Sequence, residues 1–163
     1  MLKLAGGGMI IAATTIWGFS KTSALKKRER ELGKIITALS MLENEITYGK
    51  RDIKTALLTV GRAARVEMFI FAAENLEKGI KESMKRALDN CGEGLLGTDK
   101  SVLLTLSENL GMTNSEVQIK NIRYCIEQLK TLKEFAKNDF ERLGKMYKGL
   151  GLLSGIFIVI LLI

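Results

Sequence analysis

Proline and histidine are both absent from the 163 residues. Without proline, no helix in the chain meets the commonest breaker of the backbone hydrogen-bond ladder. Without histidine, the chain lacks the commonest general base and the commonest metal ligand. Cysteine occurs twice, at Cys91 and Cys125, far apart and outside any CxxC spacing. That pattern fits two semi-buried thiols in a reducing compartment better than a disulfide or a zinc site. Aromatic residues make up 6% of the chain and do not interleave with the basic ones, so the net charge of +7 argues little for nucleic-acid recognition. No segment alternates apolar and polar residues long enough to make a strand. The only catalytic material is carboxylate, and Glu43 and Glu45, two apart on a helix, point to different faces and cannot form a catalytic pair. Gly6-Gly7-Gly8 lies inside an apolar run with no strand before it and no Lys-Ser/Thr after it, which excludes a phosphate loop. No enzyme activity, cofactor, metal or small-molecule substrate is expected.

Two apolar ends are what the chain does have. From Thr113 to Ile163 the sequence predicts one uninterrupted helix, opened by the capping box Thr113-Asn114-Ser115-Glu116. Val117, Ile119, Ile122, Ile126, Leu129, Leu132, Ala136, Phe140, Leu143 and Tyr147 recur at helical spacing, and after Lys148 the charges stop. At about 1.5 Å per residue, the amphipathic part alone is roughly 50 Å long. At the other end, Leu2 to Phe19 is apolar apart from Lys3, two threonines and small residues. As a helix it is about 27 Å long, close to the hydrocarbon thickness of a bilayer. A cleaved signal peptide is the competing reading. The length of the apolar run and the lack of a clean small-x-small site before the basic cluster favour a retained anchor.

Lys21, Lys26, Lys27, Arg28 and Arg30 follow the first apolar segment, and Lys145 and Lys148 precede the second. The positive-inside rule then places the middle of the chain in the cytoplasm and both termini across the membrane. The expected organisation is a transmembrane helix over residues 1–20, a cytoplasmic helical domain over 21–148 and a second transmembrane helix over 149–163. Gly8 and Ala12, four apart, and the GxxxG of Gly151 and Gly155 are candidate positions for close helix packing in the bilayer.

Between the ends every segment is helical in pattern. Leu25–Tyr48 carries Leu32, Ile35, Ile36, Leu39, Leu42 and Ile46 on one face and is expected to end at Gly49. Asp52 caps a short helix through Val60 that Gly61 should stop. Met68–Leu76 and Ile80–Leu88 follow. After the loop Asn90–Gly97, Thr98 or Asp99 should cap a helix ending at Gly111. The fold class is therefore all-α: a compact helical bundle of about six helices between an N-terminal and a C-terminal transmembrane helix.

Four stretches in this order carry a resemblance that covers nearly the whole chain. They are Trp17-Gly18 followed by basic residues, Leu42-Glu43-Asn44-Glu45-Ile46-Thr47-Tyr48-Gly49, Leu110-Gly111-Met112-Thr113-Asn114 with Gln118 and Ile122, and Lys145-Met146-Tyr147-Lys148-Gly149-Leu150-Gly151. The chain resembles the stage III sporulation protein AB family of endospore-forming bacteria. Two departures are visible: Asn114 stands where the family usually has Asp, and Lys50-Arg51-Asp52 lacks a Pro the family often carries.

The resemblance implies a component of the channel complex joining mother cell and forespore. It also implies a soluble domain similar to the cytoplasmic domain of the type II secretion F-type platform protein, and a cytoplasmic secretion-type ATPase, the stage III sporulation AA protein, as partner beside other membrane components. The F-type proteins carry two such domains, so self-association would restore the duplicated arrangement. The alternative is a membrane-tethered helical receptor or signalling scaffold, which would carry sustained heptads in place of several short helices. Glu43, Glu45, Tyr48 and Gln118 lie in the family-like motifs and are the candidate partner-binding residues. Glu45 borders the apolar stripe and is also readable as a half-buried carboxylate paired with a Lys or Arg.

Overall fold

The computed structural model describes residues 2–49, 52–111 and 114–162. All regular structure among them is helical: α1 (Leu2–Asn44) runs into a π-turn (Glu45–Gly49), followed by α2 (Ile53–Ala64), α3 (Glu67–Glu74), a short 3₁₀ turn (Leu76–Lys78), α4 (Ile80–Cys91), α5 (Gly97–Asn109) and α6 (Ser115–Leu162). The first apolar segment and the first amphipathic stripe therefore share one helix. The helix runs without a break from Phe19 to Leu25, where no proline or glycine stands, and the Thr22 hydroxyl donates back to the Gly18 carbonyl at 3.0 Å.

Two compact units partition the chain: Arg30–Lys133, and Met1–Glu29 with Glu134–Ile163. In the larger unit the apolar stripes converge. Leu32, Ile35, Leu39 and Leu42 of α1, Leu57 and Val60 of α2, Phe69 of α3, Leu88 of α4, Leu103 of α5, and Ile122 and Leu129 of α6 are all buried. Each side chain of this size contributes about 1.5–3 kcal/mol on leaving water.

The α2–α3 corner departs from the expectation that Gly61 stops a helix. α2 continues through Gly61 to Ala64. The glycine is buried because α3 passes close: a Cβ there would lie 2.9 Å from Ile70 Cγ1 and 3.1 Å from the Ile70 nitrogen. The stop comes at Arg65, which takes the left-handed conformation (φ 55°) usually left to glycine. The Val66 N–H donates to the Gly61 carbonyl at 2.8 Å, and the Val66 side chain is buried.

Two other caps also differ from the sequence pattern. α5 starts at Gly97, and Asp99, in its first turn and wholly buried, accepts the Leu96 N–H at 2.8 Å, so the carboxylate reaches back from inside the helix. At the start of α6, Asn114 Oδ1 accepts the Val117 N–H at 3.0 Å; Thr113 lies outside the described residues. Asp52 caps α2 as its position suggests, accepting the Thr55 N–H at 3.1 Å, while Lys50 and Arg51 lie outside the described residues.

The second unit is an antiparallel pairing of the first part of α1 with the last part of α6. Each step up α1 is met by an equal step down α6. A Cβ on Gly7 would touch Val159, one on Gly151 would lie 2.7 Å from the Thr14 carbonyl oxygen, and one on Gly155 would collide with Thr14 Oγ1. Gly18 lies against the Tyr147 carbonyl, and Thr22 Oγ1 donates to the Gly144 carbonyl at 3.2 Å. Trp17 and Tyr147 meet edge to face with ring centroids 6.4 Å apart.

A candidate partner surface at the end of the first helix

The last turn of α1 widens into a π-turn over Glu45–Gly49, an uncommon conformation that adds a residue to the turn and re-aims the side chains beyond it. Thr47 Oγ1 donates to the Glu43 carbonyl at 2.7 Å, holding the turn closed on its outer side. Tyr48 emerges 82% exposed. An aromatic ring so exposed at an ordered turn contributes little to the core and is available to a partner.

Glu43 is tied to α6. Arg123 Nε donates to Glu43 Oε1 at 2.6 Å, across 80 residues of sequence. Glu45, the first residue of the π-turn, is half-buried. Gln118, also half-buried, is engaged by its own neighbourhood: its Oε1 accepts the Gly111 N–H at 3.3 Å, bracing the connection between α5 and α6 where Gly111 sits at φ 79°. Of the four residues singled out in the sequence, Tyr48 is thus the one presented outward, and Glu43 and Gln118 hold elements together. Arg123 was not visible as Glu43's partner, because a salt bridge between distant helices leaves no spacing signal.

Gly151 and Gly155 lie buried on the seam of the terminal helix pair. Gly8 and Ala12 are exposed, and a Cβ on Gly8 would meet nothing within 4 Å. The α1 side of the seam is formed instead by Gly7, Ile11, Thr14 and Gly18. Arg28 is buried in the same unit and faces Asp139 at 3.9 Å.

Among the described residues no group of three or more His, Cys, Asp or Glu side chains is placed to hold a metal ion. Burial pushes the Cys125 thiol up to about 12, and burial followed by the charge of Glu67 raises the Cys91 thiol. Both are protonated and poorly nucleophilic near neutrality. The Thr55 hydroxyl and N–H hold the Asp52 carboxyl below its ordinary range. A shallow cleft between α5 and α6 is lined by Thr105, Asn109, Asn121, Tyr124, Cys125 and Gln128, with no catalytic pairing among them.

Comparison with known proteins fits this geometry to a family. The family profile described as stage III sporulation protein AB matches residues 3–163. The chain belongs to the stage III sporulation protein AB family. It is 30% identical over 172 residues to stage III sporulation protein AB of Bacillus subtilis (strain 168), covering 99% of each chain. A solved structure of a stage III sporulation protein AB superposes with a TM-score of 0.61 at 23% identity, covering 70% of this chain and 96% of that one, and so shares the fold. Membership makes the chain a sporulation protein. Among the described residues one helix, α6, is long and apolar enough to cross a membrane.

Proposed function

We propose that the chain is a non-catalytic platform of the sporulation channel between mother cell and forespore. Both apolar ends hold it in the mother-cell membrane, and the helical bundle receives a cytoplasmic secretion-type ATPase. The observation that carries the reading is the exterior of the terminal helix pair. Met9, Ile16, Leu153, Phe157 and Ile160 point outward, Met9 and Ile160 by 70% or more, while the inner seam is closed by glycines. An apolar exterior around a close-packed seam is costly in water and costless in hydrocarbon. The membrane borders then fall near Ser20 and Gly149, where Lys21, Lys145 and Lys148 mark the cytoplasmic side.

The bundle, with acidic and basic side chains in near balance and Tyr48 projecting from its π-turn, serves as the receiving surface. Self-association in the membrane would place two bundles side by side, as the duplicated F-type platform does within one chain. The direct test is alkaline carbonate extraction and protease accessibility of the full chain, then capture from sporulating cells. Retention in the pellet, protection of the bundle from external protease and recovery of the ATPase are expected. Release into the supernatant would overturn the anchoring, and capture without the ATPase would overturn the docking.

A further inference from the structure

Acidic side chains are missing from the whole of residues 1–28 and again from 142–163. In those stretches Lys21, Lys26, Arg142, Lys145 and Lys148 are all exposed, whereas the buried Arg28 is turned to Asp139. The terminal helix pair therefore wears a cationic collar. Directly beside it lies a layer of rings: Trp17 and Phe19 on α1, each more than half exposed, and Tyr147 on α6, edge-on to Trp17. Lys21 Nζ sits 5.8 Å from the Trp17 ring centroid and Lys148 Nζ 5.2 Å from that of Phe19. Those distances lie within cation–π range, so both ammonium groups are held at the level of the rings with N–H donors left to spare. Further toward the chain ends the large exposed residues are apolar, among them Met9, Ile16, Leu150, Leu153, Phe157 and Ile160. Along the pair the order is apolar, aromatic, cationic, which matches hydrocarbon, glycerol and phosphate in one leaflet.

We infer that this collar binds the phosphate groups of anionic phospholipids in preference to zwitterionic ones. Uncompensated ammonium groups at that depth attract a net negative headgroup, and a choline headgroup offsets its own phosphate. The inference rests on the bilayer reading above. It goes beyond topology by assigning Lys21, Lys145 and Lys148 a lipid class.

Trp17 is the chain's only tryptophan and stands directly beside the collar, so it reports on the lipids that the collar gathers. The full chain is reconstituted in phosphatidylcholine vesicles carrying equal fractions of either brominated phosphatidylglycerol or brominated phosphatidylcholine. Several-fold stronger quenching of Trp17 by the anionic lipid is expected, weakening with added salt as the charges are screened. The preference should vanish in the K21Q/K145Q/K148Q variant and persist in K21R/K145R/K148R, with helicity by circular dichroism showing that both variants fold. Equal quenching by the two lipids overturns the inference and leaves the anchor standing. Absence of quenching by either removes the bilayer reading, and loss of the preference in the arginine variant also overturns the collar's role.

Discussion

Arg123 and Glu43 join the first turns of α6 to the last turn of α1 through a bond of 2.6 Å, fixing the base of the turn from which Tyr48 projects. Arg123 is 69% exposed and Glu43 19% exposed, so the pair is screened on one side and its direct contribution to stability is about 1 kcal/mol or less. E43Q and R123Q should each lower the thermal midpoint slightly, and the exchange E43R/R123E should recover part of the loss. A double-mutant cycle followed by circular dichroism measures the coupling; a coupling of zero would mean that the bond holds nothing in solution.

Tyr48 separates folding from docking. With its ring in solvent, Y48A should change stability by no more than about 0.5 kcal/mol. If the π-turn is the receiving surface, the same change should sharply reduce recovery of the ATPase and sporulation in a complementation assay. Wild-type levels of both would remove Tyr48 from the interface.

At the α2–α3 corner two substitutions should act in opposite directions. G61A places a methyl group against the Ile70 backbone and should cost about 1–3 kcal/mol. R65G relieves a left-handed arginine and should add up to about 1 kcal/mol. Chemical denaturation of the two variants checks both signs. Equal effects would mean that α2 ends elsewhere in solution.

These positions show how much of the fold was legible. The helical stripes were, since burial of Leu32, Ile35, Leu39 and Leu42 follows from their spacing alone. The same held for the Asp52 cap, whose carboxylate acts on its own helix. Glycine was the ambiguous letter. Gly61 resembles a stop signal, yet it serves close approach, because its role is set by Ile70 on a different helix. In Gly6-Gly7-Gly8 the sequence contains small residues at every phase, and only the partner Val159 decides that Gly7 faces inward while Gly8 faces out. The outward Tyr48 was legible as a motif member and not as a projection, because nothing in the residue types announces a π-turn.

The thiols give a chemical check on burial. The folded Cys125 titrates at about 12 against an ordinary 9.0. A folded value raised in this way means that its contribution to stability is complete below pH 9 and is lost as pH climbs toward 12, where the unfolded chain gains by ionising. Asp52 runs the other way. Its lowered carboxyl supports α2 above its ordinary value of 3.8, and that support fades as acid protonates it. At pH 8 a thiol reagent should modify the half-buried Cys91 well before Cys125, with denaturant equalising the two rates. Faster labelling of Cys125 would mean that the α6 face of the bundle opens.

Thr22 has one further implication, for movement. Its hydroxyl reaches the Gly144 carbonyl, Arg28 reaches toward Asp139, and Thr14 fills the notch above Gly151 and Gly155. Shifting one helix of the pair along the other by a single turn, about 5.4 Å, would break all three contacts at once and press side chains into backbone. The two terminal helices are thereby locked against piston travel. Any signal they carry must move them together, by tilt or by rotation about their shared axis.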